Sequence, residues 1–367
     1  MKKILPALAL ILLAYAPLTQ AQVGITSVPF LQIEPDSRSA GMGNTGVAIA
    51  DNASAVFWNP AGLAFQRGNQ VSITHSQWLP KFNADLFYDY LVGKYHAEDI
   101  GTFGAHITYL NLGEQIQTND QGNDLGRFNS YEFSFGVSYG YQLNENWGFG
   151  TGVRYIRSSL FEGNVGGEQQ SVSPGSSIGV DLAALYKTDP FEFGGNNASF
   201  NAGLNLSNLG PGVNYTDEGQ KDPLPTVLRF GWAFTTDLDN DGVHSLTLAN
   251  DISKIMARSD STSVDGPFEA LFSSWGSLER ETSQGTAELS TFQQFMVATG
   301  VEYWYDDLFA VRSGYYFEDP NNGNRKFITL GAGIRYDFIG IDFSYIYTLE
   351  EDHPLANTTR FGLLLDF

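Results

Sequence analysis

The sequence predicts an all-β outer-membrane barrel of about fourteen antiparallel strands with an N-terminal plug. Three observations lead there: period-two alternation over stretches of about ten residues, an export signal with no membrane-spanning helix after it, and a final strand tipped with phenylalanine.

The alternation is clearest at Tyr131, Phe133, Phe135, Val137, Tyr139 and Tyr141, interleaved with Glu132, Ser134, Gly136, Ser138, Gly140 and Gln142. One face is greasy and the other small and polar, as a wall between lipid and a wet lumen requires. The same period predicts strands at 71–77, 86–95, 102–111, 131–142, 147–157, 176–187, 198–207, 226–236, 244–252, 295–305, 307–317, 326–338, 339–348 and 358–367. Long links at 112–130, 158–175, 208–225 and 253–294 alternate with short ones at 143–146, 237–243, 306 and 338–339, the pattern of outer loops and periplasmic turns. A soluble β-sandwich also alternates, but its strands are shorter.

Met1, Lys2 and Lys3 precede an apolar run from Ile4 to Ala16 and then Thr19-Gln20-Ala21, the layout of a secretory signal over 1–21. Nothing after it is long and apolar enough for a transmembrane helix. The chain ends with Phe361, Leu363, Leu365 and Phe367 on one face, like the strand by which barrel proteins are recognised for insertion.

Cysteine is absent, so disulfides and thiolate metal sites play no part in this exported chain. A formal charge of −21 disfavours nucleic acid and a polybasic grip on lipid. The 40 glycines and 14% aromatics suit strands with small lumenal and large lipid-facing side chains.

Residues 22–68 are rich in Gly, Ala and Asn without sustained period, and are expected to fold into the barrel mouth as a plug; the barrel itself occupies 69–367. Within them Gly41-Met42-Gly43-Asn44-Thr45-Gly46 matches the dinucleotide fingerprint, but no βαβ unit surrounds it, so its glycines serve tight turning and packing. Two Gly-x-Ser-x-Gly matches, Gly136–Gly140 and Gly175–Gly179, lie in or beside strands, and His75, His96, His106, His244 and His353 are scattered singly. An acyl hydrolase acting through Ser138 is therefore a minor reading. Asp237-Leu238-Asp239-Asn240-Asp241-Gly242 begins like a calcium loop, but Leu248 stands where a bidentate Glu belongs, which leaves an acidic turn. No catalytic, cofactor or metal residues are assigned.

One helical pattern stands out in the long loop 253–294: after Pro267, residues Phe268, Leu271, Phe272 and Trp275 share a face. Such a face either folds onto the barrel rim or offers aromatic anchors to another protein.

Trp58-Asn59-Pro60-Ala61-Gly62-Leu63-Ala64, after Ala50-Asp51-Asn52-Ala53-Ser54, resembles the plug motif of the long-chain fatty-acid transporter (FadL) family, fourteen-stranded barrels with an N-terminal hatch. A closer resemblance, to the PorV branch of the PorV/PorQ family, is carried by several stretches in order. They are Pro29 to Arg38, Gly41-Met42-Gly43, Ala270 to Trp275, Glu302-Tyr303-Trp304-Tyr305, Arg312-Ser313-Gly314-Tyr315, Gly323-Asn324-Arg325-Lys326 and Pro354 to Thr358. Ser37 is a mild departure from the small residue, such as Ala, that the resemblance leads one to expect there.

That resemblance implies a non-enzymatic component of the type IX secretion system of Bacteroidota-like bacteria. Its implied partners are the large SprA-like translocon barrel, secreted cargo with C-terminal targeting domains, the sortase-like attachment complex and outer-membrane lipid, with no cofactor. The alternative is a FadL-like transporter of hydrophobic small molecules.

Overall fold

The computed structural model describes residues 26–82, 85–118, 121–165, 170–216, 221–259, 264–282, 285–350 and 353–367; the expected export signal at 1–21 lies outside them. Fourteen wall strands run β1 Gln70–Gln77, β2 Phe87–Ala97, β3 Gly101–Thr118, β4 Asp124–Gln142, β5 Trp147–Ser159, β6 Gly175–Lys187, β7 Asn196–Leu209, β8 Val227–Asp237, β9 His244–Ile255, β10 Phe295–Tyr305, β11 Phe309–Phe317, β12 Lys326–Tyr336, β13 Ile339–Thr348 and β14 Thr359–Asp366. Each pairs antiparallel with its chain neighbours, and β14 pairs with β1 from Gln70↔Asp366 to Ser76↔Arg360, so the sheet closes on itself. Closure leaves no wall strand with an unpaired edge, which lipid would penalise. The seam is finished by Phe367, whose backbone exchanges two 2.9 Å hydrogen bonds with Asn69.

Alternation translates directly into facing. In β4, Phe135, Val137 and Tyr141 are exposed on the outer surface, while Glu132, Ser134 and Ser138 are buried inside. In β14, Phe361 and Leu363 face outward and Arg360 and Leu364 inward. No helix among the described residues is long and apolar enough to cross a membrane.

Two expectations about the links are corrected. The stretch 112–130 is mostly strand: β3 and β4 continue to Thr118 and from Asp124, past an irregularity between Asn111 and Glu114. Their upper part is held by backbone pairing and a 2.6 Å Arg127–Glu114 ion pair, with polar side chains on both faces. Above the lipid no greasy face is required, so the period fades while the ladder persists. The 253–294 link is likewise not plain loop. It carries a helix α3 at Pro267–Ser273, a hairpin pairing Leu278–Thr282 with Gly285–Leu289, and a 3₁₀ turn at Thr291–Gln294.

The principal core lies inside the ring and is built largely from the N-terminal segment. Val28, Phe30, Leu31, Val56, Trp58 and Leu63 pack with Tyr88, Tyr90 and Val92 of β2. That segment contains a 3₁₀ turn at Pro29–Gln32, helix α1 at Ser37–Gly41, helix α2 at Ala55–Trp58 and a 3₁₀ turn at Pro60–Phe65.

Candidate functional site

The N-terminal segment is seated against the wall by glycines. A methyl group on Gly140 of β4 would stand 2.5 Å from the Ala64 nitrogen, and one on Gly203 of β7 would stand 2.7 Å from the Val47 carbonyl. Gly150 faces Pro60 and Ala61, Gly300 and Gly314 face Met42 and Gly43, and Gly331 faces Gly41 in the same close manner. Backbone approaches backbone at distances that only glycine on the wall allows. Gly43 itself takes a φ of +69° and presses against Tyr315, so its lack of a side chain is required twice over. Here lies the use of the glycine-rich Gly41–Gly46 stretch, whose fingerprint pattern opens no βαβ unit in this sheet.

Wall side chains then satisfy the segment's backbone. Asp251 accepts hydrogen bonds from the Gly46 and Val47 amides at 2.7 and 3.0 Å, and Thr329 accepts from Gly43 N and donates to the Gly41 carbonyl. The Trp58-Asn59-Pro60-Ala61 motif holds the segment to itself and to the wall. Trp58 Nε1 donates to Asp36 at 2.6 Å, and Asp36 also caps α1 through Ser39 N. Asn59 donates to the carbonyls of Val47 and Ala184 and accepts from Ala61 N, while Asn205 of β7 donates to the Trp58 carbonyl at 2.8 Å. Pro60 starts its 3₁₀ turn where a missing N–H costs nothing. Ser37, by contrast, has a buried hydroxyl without a partner among the described residues, so an apolar residue would fit there.

Residues far apart in sequence meet in one ionic chain. Arg38 binds Glu302 of β10 through Nε at 2.9 Å and Nη2 at 2.7 Å, and also binds Asp51. Glu302 is shared with Arg312 of β11 at 2.6 Å, which reaches Asp342 at 2.7 Å, and Asp342 is met by Arg335 at 2.6 Å. The guanidinium groups of Arg312 and Arg335 also lie near the Trp304 ring, 5.4 and 5.6 Å from its centroid. Burial works against the charge on Arg38, but Asp51 and Glu302 outweigh it and hold the guanidinium well above its ordinary pKa. Arg38, Glu302, Trp304 and Arg312 all fall in the stretches that carry the family resemblance, and only strand register brings them together.

At the long-loop end, helix α3 turns its apolar residues outward. Phe268 is 69% exposed, Phe272 81% and Trp275 46%, whereas the small Ala270 faces in and is buried. The helix stops at Ser273, so Trp275 lies beyond it, held by an indole hydrogen bond to the Leu271 carbonyl at 2.9 Å. Leu271 is partly covered, and Trp275 approaches Phe295 on the outer wall with ring centroids 6.4 Å apart. Phe292, 86% exposed in the following 3₁₀ turn, adds to the patch; it sits outside the helical period that marked the others.

The remaining motifs fall in the wall or its turns. Ser138 is an inward residue in the middle of β4, and Gly175–Gly179 opens β6; neither lies on a strand-to-helix turn. His106 is buried opposite Gly136, while His75 is exposed beside Asp89. Asp237–Gly242 forms the β8–β9 turn, where Asp239 accepts from His244 N, and Leu248 points outward from β9.

Above the seated segment, at the same end as α3, a cavity of 760 Å³ is lined by Phe30, Trp78, Leu110, Phe327, Leu355 and Arg360 among others. His353, on its rim, accepts a 3.1 Å hydrogen bond from Leu355 N, and burial lowers its pKa.

Known structures share this architecture. The toluene transporter TbuX of Ralstonia pickettii superposes with a TM-score of 0.51 at 13% identity, covering 92% of this chain and 99% of that one. The toluene transporter TodX of Pseudomonas putida gives 0.52 at 13% identity, covering 91% and 99%. At such identities the likeness carries the fold alone. No curated protein matches the chain by sequence. The family model described as type IX secretion system protein PorV matches residues 17–261, well over half the chain. With its closed barrel, the chain is an outer-membrane component of type IX secretion and belongs to the PorV family.

Proposed function

We propose that this barrel binds secreted cargo bearing C-terminal targeting domains at the translocon barrel and carries it to the surface attachment complex, without catalysing a reaction itself. The observation that supports this reading most is the aromatic patch of Phe268, Phe272 and Trp275, presented outward on α3 and just after it. Large exposed aromatics grouped on a surface loop are the residues that anchor protein interfaces. The seated segment fits the same reading, because a lumen filled by backbone locked onto wall glycines serves an anchored carrier better than a pore. A hydrophobic-solute transporter would share the fold of TbuX and TodX.

Replacing Phe272 and Trp275 with Ala tests the proposal. Cargo recovery in pull-downs from native membrane should fall while heat-modifiable barrel mobility is unchanged. Undiminished recovery would remove the loop from the mechanism, and uptake of labelled fatty acid by liposomes holding this protein alone would favour the transporter.

A further inference from the structure

Buried pairs such as Arg154–Asp181 and Arg312–Glu302 keep charges of the wall inside the lumen, but Arg157 of β5 turns toward lipid. Arg154, Ile156 and Ser158 are buried inside, and Val153, Tyr155 and Arg157 alternate with them on the outer surface. One step nearer the membrane centre the row across the sheet is Phe135 of β4, Tyr155 and Ile178 of β6, all exposed rings or aliphatics. Two residues beyond Arg157, β5 ends at Ser159, while β4 rises above it with Asn129 and Arg127. Phe87, Tyr109 and Tyr131 approach the same place in ring contact, with centroids 6.0 and 5.9 Å apart. Such a run of aromatics marks the edge of the lipid-facing band, where an outward charge costs little and headgroups begin.

This cation lacks a counter-charge. At the same end of the barrel His75 is paired with Asp89 at 2.6 Å, Arg127 with Glu114 at 2.6 Å, and Lys326 Nζ donates to Asn324 at 3.2 Å. Arg157 forms no ion pair among the described residues. Its surroundings are hydroxyls: Tyr131 and Tyr155 stand beside the guanidinium, and the exposed Ser176 of β6 is its direct cross-strand partner.

A guanidinium among three hydroxyls presents several donors at once, which suits the oxygens of a phosphate. A zwitterionic phospholipid would bring an ammonium too, and the cluster has no carboxylate to receive it. A glycolipid phosphate carries no such cation. With a formal charge of −21 the chain repels anionic surfaces at long range, so the contact depends on this local match.

We propose that Arg157, with the hydroxyls of Tyr131, Tyr155 and Ser176, holds a phosphate of an outer-leaflet glycolipid against the outside of the barrel. The site lies on the lipid-facing wall, away from the lumen, and stands independently of the cargo-binding reading.

Native mass spectrometry of the full barrel in neutral detergent tests it. The probes are diphosphoryl lipid A, the same lipid stripped of its phosphates, and phosphatidylethanolamine. Lipid A should be retained at one per barrel, and the other two should bind about tenfold or more weakly, the effect of losing a charge-assisted contact. Arg157→Gln should lower lipid A binding to the level of the stripped lipid while heat-modifiable mobility stays unchanged. Tyr131→Phe combined with Tyr155→Phe should weaken it by a smaller factor, and Arg127→Gln should leave it unaltered. Equal binding of lipid A with and without phosphates, phosphatidylethanolamine binding as tightly as lipid A, or full lipid A binding to the Arg157→Gln barrel would overturn the proposal. The comparison of the three lipids on the unaltered chain stands even if a variant fails to fold.

Discussion

Arg38 of the N-terminal segment grips Glu302 of β10 through two nitrogens, at 2.9 and 2.7 Å, across 264 residues of sequence. Glu302 is 1% exposed, so this pair fastens segment to wall in a place where an unpaired charge has no water to turn to. Arg38→Ala leaves Glu302 with Arg312 as its remaining ionic partner, so the expected cost is below the about 3–5 kcal/mol of a buried charge left alone. The temperature at which the folded form disappears from unboiled gels should fall. Asp51→Ala should cost less than about 1 kcal/mol, because that partner is half exposed and screened.

The glycine seat makes a sharper demand. An added methyl on Gly314 would overlap the Met42 and Gly43 backbone, so Gly314→Ala should unseat the segment or block assembly. Limited proteolysis would then cut within 26–68, a region that should resist in the unaltered barrel. Gly93 is the control: it lies in β2 with its nearest neighbours 3.5 Å away, and Gly93→Ala should change nothing measurable.

Much of the ring was legible in the sequence because lipid imposes a strict period on each strand. Where lipid stops, as at Glu114 to Gln117 and Asp124 to Asn129, the period stops too, and a tall hairpin reads as loop. The glycine seat was illegible for another reason: Gly140 and Gly314 carry no chemistry of their own, and their meaning is a distance to Ala64 or Gly43. The aromatic loop was visible as a helical period, but the direction it faces depends on Ala270 being the small residue turned inward. The period also implied a longer helix than the one that forms, since Trp275 is held by its indole rather than by the helix.

The Trp58 anchor should be separable from bulk packing. Trp58→Phe keeps a ring against Gly46 but loses the indole donor to Asp36, leaving a buried carboxylate oxygen unpaired. A loss of about 1–3 kcal/mol is expected, read as a lower urea midpoint in detergent.

The outer rim should respond to acid. His353 accepts from Leu355 N and is held neutral by burial, so its folded pKa lies below the unfolded value of about 6.5. Between the two the unfolded state binds more protons, so stability rises with pH there. The contribution is complete above about 6.5 and lost as pH falls from there through the lowered folded value. Amide exchange at Leu355 and Ala356, corrected for its intrinsic pH dependence, should speed up on acidification. His353→Asn should flatten that response, and an unaltered response would show that another group titrates.

Gln70 stands where the first and last strands join. Its side chain donates to Asp366 across the seam at 2.7 Å and accepts from the Ala53 amide of the segment. The interior filling and the staves of the barrel are thus latched at a single residue. Prising β1 from β14 sideways would break the Gln70–Asp366 bond, so the side chain that holds the segment's Ala53 amide also guards the joint against lateral opening.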